Sequence, residues 1–153
     1  MDRATFGKPI ATIDGDAIRD GDEDAALSPL LQTLSERSDV ELAGFAEQLA
    51  QVLFQRGGQV YADCAGDSGN SDDGFLYARC YVVALGRDHY ERVVASPSEM
   101  PESLEEWCEG LRYVPQRAWA ALTGNQEEAW PHRTSVSDES GSNRALWPSE
   151  PPS

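Results

Sequence analysis

Four side chains in this sequence have the types that chemistry requires, at spacings that could let them act. Ser68 stands in Gly66-Asp67-Ser68-Gly69, the tetrapeptide found around the nucleophile of chymotrypsin-like serine proteases. Asp72 and Asp73 follow Ser71, and Arg79 is the only charge in the apolar run FLYARCYVVAL, residues 75–85. A serine nucleophile needs a base with a free ring nitrogen and an acid that orients it. The chain has two histidines, and only His89 lies in the part that reads as folded; His132 falls beyond it. Chymotrypsin-like enzymes are also pairs of β-barrels, whereas the apolar periodicities here are helical. Ser68 is therefore read as one of four small turn formers rather than as a nucleophile.

Metal chemistry has less support still. Cys64, Cys80 and Cys108 are odd in number and widely spaced, with no CxxC or HxxxH pattern, which suits buried reduced thiols better than zinc or a disulfide framework. Asp20, Asp22 and Asp24 alternate as in a calcium loop, but Ala25 and Leu31 stand where its glycine and its bidentate glutamate belong. Asp67, Asp72 and Asp73 could line a magnesium site; three acids in one loop are more often solvated or capping. No cofactor is implied.

A helix start accounts for most of Ser-Asp-Asp-Gly-Phe. Ser71 is placed to cap the free backbone donors. Asp72 and Asp73 fall in the first turn, where the helix dipole favours each negative charge by about 0.3–1 kcal/mol. Arg79 is the residue left over. A guanidinium in an apolar helix must find a carboxylate or remain as a costly unpaired charge. Asp72, two turns back on the same face, is the expected partner, with Asp63 or a bridging group completing the contact. A structural ion pair leads this reading. Behind it stands a binding site formed by Ser71, Asp72, Asp73, Phe75 and Arg79, and then a small enzyme acting on a peptide or metabolite. In that enzyme Asp72 or Asp73 would be the general base and Arg79 would hold an anionic group. A third class is a purely structural, partner-stabilising subunit that uses the acidic surface.

The elements around these residues read as helices. Residues 14–24 carry six acids against one arginine and read as a solvated loop. Ser28 and Pro29 suggest a helix start, with Leu30, Leu31 and Leu34 on one side. Ser38 and Glu41 have capping-box spacing, and Leu42, Phe45, Ala46, Leu49 and Leu53 form a stripe that Gly57 and Gly58 end. QVYADCA is a further short helix. Residues 75–85 have no polar face, so they form a strand or an enclosed helix, and the acidic start and Gly86 favour the helix. RDHYERVV continues it or forms its own helix, and VPQRAWAALTG is the last, between Pro115 and Gly124. The fold class is all-α, a small single-domain helical bundle over residues 1–124. Residues 125–153, rich in Ser, Pro and Glu and without periodicity, read as a flexible tail in which Trp130 and Trp147 are unusual.

Acids outnumber bases 27 to 12, for a net charge of −15, which argues against nucleic acid and against anionic membranes. A peptide, protein or small-molecule partner remains open, with cationic ones favoured by the field. No stretch approaches the roughly 18 apolar residues of a membrane span, and the N-terminus lacks a signal-peptide layout, so a cytoplasmic location is expected.

SDDGFLYARCYVVALGRDHYERVVASPSEM, residues 71–100, resembles the bacterial family known as domain of unknown function 4240. The likeness extends more faintly to LRYVPQRAWAALTG at 111–124 and to the layout of the N-terminal half, and it does not reach the tail. It implies a small cytoplasmic helical domain and no established reaction. Asn70 stands where that family typically has cysteine, so no thiol chemistry is assigned there, and RGGQVYADC replaces a Trp-rich segment.

Overall fold

The computed structural model describes residues 1–148, and it is all-α, with no strand among the described residues. In chain order the helices are α1 (Arg3–Ile10), α2 (Gly15–Arg19), α3 (Glu23–Ser35), α4 (Asp39–Gln55), α5 (Gln59–Asp63), α6 (Asp72–Ala84), α7 (Arg87–Ala95) and α8 (Val114–Thr123). Single 3-10 turns fill Gly66–Asn70 and Glu109–Tyr113.

The apolar run from Phe75 is a helix without an outer face. Ten of the 13 residues of α6 are buried, Arg79 among them. Helices α2, α4 and α7 and the two 3-10 turns surround it, while α3 pairs with α8 on the far side. Of the stripe predicted on α4, Leu42, Phe45, Leu49 and Leu53 are buried and Ala46 is half-buried, while Val52, outside the stripe, is buried as well. Each of the buried ones contributes about 1.5–3 kcal/mol by leaving water. Ser38 caps α4 as its spacing requires, its Oγ accepting from Glu41 N at 3.2 Å. Gly86, at φ +106°, separates α7 from α6, a backbone state that favours glycine. No described helix is long and apolar enough to cross a membrane.

Two expectations are corrected near the N-terminus. Residues 14–24 are not an open loop: Asp14 caps α2 through Asp16 N and Ala17 N, and Asp22 caps α3 through Ala25 N. The acids that resemble a loop are caps and first-turn residues of α2 and α3, which Ile18 and Leu27 pin to the core. Consequently α3 begins at Glu23, and Pro29 lies inside it rather than at its first position. The intrahelical donor that Pro29 lacks would have met the carbonyl of Ala25, an exposed residue whose oxygen water can reach.

Past Gly124, in the left-handed conformation at φ +77°, the described residues form only two short 3-10 turns, Glu127–Ala129 and Arg144–Leu146. The missing periodicity of this segment thus has its counterpart in backbone structure. The segment nonetheless follows the helices closely. Trp130 lies edge-on to Trp119 at 5.8 Å between ring centroids. His132 Nε2 is 3.0 Å from an Asp39 oxygen, and Ser135 N and Oγ both donate to the Glu47 carboxylate. The last five residues of the expected tail, 149–153, lie outside the described residues.

Candidate functional site

Helix α4 ends in carbonyls, and two buried arginines answer them. At a helix C-terminus the last carbonyl oxygens have no intrahelical donor, and the aligned peptides leave roughly half a negative charge there. Arg56 Nη1 donates to Val52 O at 2.9 Å and its Nε to Tyr90 O at 2.9 Å, with the guanidinium over the Tyr90 ring. Arg79, arriving from α6, donates Nη1 to Leu53 O at 2.8 Å. Its carbon Cζ sits 4.5 Å from the centre of the Phe75 ring, one turn back on the same helix. Burial pulls the Arg79 guanidinium down to about 10, so at neutral pH it remains a cation.

The expected ion pair with Asp72 is not formed. Seven helical residues rise about 10 Å, and the α4 carbonyls are closer. Asp72 and Asp73 are exposed in the first turn of α6, beneath the Ser71 cap, whose Oγ accepts from Gly74 N at 3.0 Å. Asp63, the other carboxylate considered, is exposed at the end of α5. The charge of Arg79 is balanced instead by a helix end and by residues outside the helical domain. Its Nη2 donates to Asp138 O at 3.0 Å and to Ser140 Oγ at 3.1 Å. Only the backbone of Asp72 joins this network, its carbonyl accepting from Ser140 Oγ at 2.6 Å. The Asp138 carboxylate turns away to Arg112 at 3.1 and 3.2 Å. Although burial opposes the charge on Arg112, these bonds hold its pKa above the ordinary arginine value.

Two more groups complete the site, and neither was visible in the motif. Asn143 Nδ2 donates to Phe54 O at 3.0 Å, and Trp147 Nε1 donates to Gly57 O at 2.8 Å. The Trp147 ring stands edge-on to Phe75 at 6.4 Å. The result is a groove between the end of α4 and the first two turns of α6. Phe75 and Arg79 form its floor, and the carbonyls of Phe54, Gly57 and Asp72 form its rim. A Cβ at Gly58 would stand 2.8 Å from the Leu146 Cβ, so the passing segment approaches the backbone closely there. Of the residues singled out in the sequence, Phe75 and Arg79 meet in this groove, while Ser71 and the two carboxylates stay at its outer edge.

Ser68 has a structural occupation. Its buried Oγ accepts from Trp107 Nε1 at 2.9 Å and donates to Ser103 O at 3.4 Å. A Cβ at Gly69 would collide with the Ala62 carbonyl and Gly66 stands at φ +54°, which explains the two glycines of the tetrapeptide. His89 lines a separate surface groove with Arg19, Tyr81 and Glu99, and Ser68 takes no part in it. The three cysteines are free; burial lifts the Cys80 thiol to about 12 and pushes that of Cys108 up as well.

Residues 1–121 match a family model described as a protein of unknown function, DUF4240. The chain belongs to that family. No curated protein and no solved structure matches it. The DUF4240 match takes in Phe54, Gly57, Asp72, Phe75 and Arg79, and it stops short of Asp138, Ser140, Asn143 and Trp147. The groove is therefore built by the DUF4240 domain, and the groups that fill it come from beyond.

Proposed function

We propose that the protein is a binding module whose ligand lies in the groove between the C-terminal end of α4 and the start of α6. One observation carries this. Arg79 is a buried cation of the DUF4240 domain, and the acceptors of its Nη2 come from outside that domain. A buried charged donor left without an acceptor costs more than the roughly 1–3 kcal/mol of a neutral one. The domain thus holds a strong, oriented donor that an incoming oxygen would satisfy. Beside it stands the Gly57 carbonyl, which calls for a donor on the same ligand. An amide-rich molecule has both, and an extended peptide or a small polar metabolite is the class that fits. The net charge of −15 speeds the approach of a cationic partner and repels nucleic acid and anionic membranes. A reducing compartment, the cytoplasm, suits three free cysteines.

Catalysis by Asp72 or Asp73 draws no support from this geometry. The groups that converge on the groove are carbonyls and a guanidinium, which hold a ligand and do not relay protons. The test is an array of extended peptides probed with the full chain carrying Trp147→Ala, which opens the groove. Binders are expected, and adding Arg79→Lys, or Arg79→Met, weakens them at least about tenfold, the loss of one charge-assisted contact. Circular dichroism checks that each variant keeps its helices. An array without binders, or binders indifferent to both substitutions, would refute the reading.

A further inference from the structure

We infer that the segment Asp138–Trp147 is a tethered stand-in for the groove's ligand, and that the ligand is an extended peptide carrying the same chemistry. In that peptide a backbone carbonyl meets Arg79, with a hydroxyl, a carboxamide and an indole at the spacing of Ser140, Asn143 and Trp147. The inference rests on the groove being the binding site, as proposed above.

The contacts sort by type. The segment offers its backbone to Arg79 through Asp138 O. It then presents three neutral side chains, each of which donates to a backbone carbonyl of the domain: Ser140 to Asp72 O, Asn143 to Phe54 O, Trp147 to Gly57 O. Of its three charged residues, Glu139 and Arg144 are exposed, and the Asp138 carboxylate faces Arg112 outside the groove. Two of the carbonyls it meets, Phe54 O and Gly57 O, stand at the C-terminal end of α4, where water could take its place, so the segment can leave without unwinding a helix. Arg79 keeps its bond to Leu53 O in that event. Occupied and open states thus differ in one segment only.

The path of the chain shows that the occupant comes from the same molecule. Trp130 rests on Trp119, His132 on Asp39, Ser135 on Glu47 and Asp138 on Arg112, so a contact occurs every few residues between the end of α8 and the groove. A tether of this kind gives an effective concentration on the order of millimolar. A free peptide must compete with that, and the full chain binds it weakly until the tether is loosened. Specificity then lies chiefly in the indole, because a peptide lacking it leaves Gly57 O without its donor, whereas Phe54 O keeps the bond from Gly57 N.

A dye-labelled peptide with the sequence of residues 136–148, VSDESGSNRALWP, tests this by fluorescence anisotropy against the full chain. The chain carrying Asn143→Ala and Trp147→Ala is expected to bind it at least about tenfold more tightly than the unaltered chain, since only the altered chain has lost its tethered competitor. Replacing the tryptophan of the peptide by alanine should abolish that binding. Equal affinity for both chains, or no binding by the altered one, overturns the inference. So does a concentration-dependent dimer of the unaltered chain in light scattering that Trp147→Ala dissolves, because the segment would then serve a second copy. Array peptides that bind through Arg79 while this peptide does not would end the inference and leave the binding module standing. Binding of this peptide that ignores Arg79→Lys would instead remove the groove itself.

Discussion

Replacing Trp147 by alanine is a direct measure of whether the C-terminal segment is part of the folded protein. The substitution removes the bond from Nε1 to Gly57 O, worth about 0.5–1.5 kcal/mol. It also removes a half-buried indole that packs on the core beside Phe75. A fully buried Trp→Ala change costs about 3–5 kcal/mol, so about half of that applies here. The contact loss is then about 2–4 kcal/mol. A second quantity sets a ceiling, because the segment can come away while the helices stay folded, and no substitution within it can cost more than its docking free energy. Trp147→Ala is therefore expected to lower stability by about 2 kcal/mol. Asn143→Ala added to it should cost less than it does alone, and deletion of residues 126–153 should cost at least as much as the double variant. Urea titrations followed by far-ultraviolet circular dichroism give all four values, since that signal follows the helices and not the segment. A truncated chain within about 0.5 kcal/mol of the full one, the range of a neutral surface change, would refute the reasoning and return the segment to the flexible tail its composition suggests.

Asp72→Asn and Asp73→Asn should each cost about 1 kcal/mol or less in the same titrations, since only a charge near the α6 dipole is lost. A penalty of about 3–5 kcal/mol at Asp72 would restore the buried ion pair that the sequence suggested. At pH 8, Ellman's reagent should label the half-buried Cys64 first, with Cys80 and Cys108 reacting only as fast as the protein opens, because burial keeps their thiols protonated. Rapid labelling of all three would contradict that packing.

Local rules carried the reading of the helices a long way. The spacing of Ser38 and Glu41, the stripe on α4, the cap at Ser71 and the stop at Gly124 are all signals within one or two turns, and each has its counterpart in the fold. Helix α2 and the start of α3 escaped because their caps are aspartates in a run of aspartates, and the five residues of α2 are too brief to show a period. Arg79 escaped for a different reason. Its need for a partner was legible, and a carboxylate is the partner that a one-dimensional search finds first. The actual partners are backbone carbonyls 26 and 59 residues away and a serine 61 away, which carry no charge in the sequence. Composition was silent on the C-terminal segment for a related reason. Its contacts are single residues every three or four positions that donate to backbone, which leaves no apolar face to count.

The enclosure of α6 also bears on the order in which the protein can be made. Its walls come from both sides of it in the chain, with α2 and α4 before it and α7 and the 3-10 turn Glu109–Tyr113 after it. While the ribosome is still adding the second half, the apolar face of α3 exists without α8, and that of α4 without α6 and α8. Leu53 O waits for a guanidinium 26 residues further on. The N-terminal half therefore leaves apolar surface uncovered until the helices that pack on it, α6 and α8, have been made.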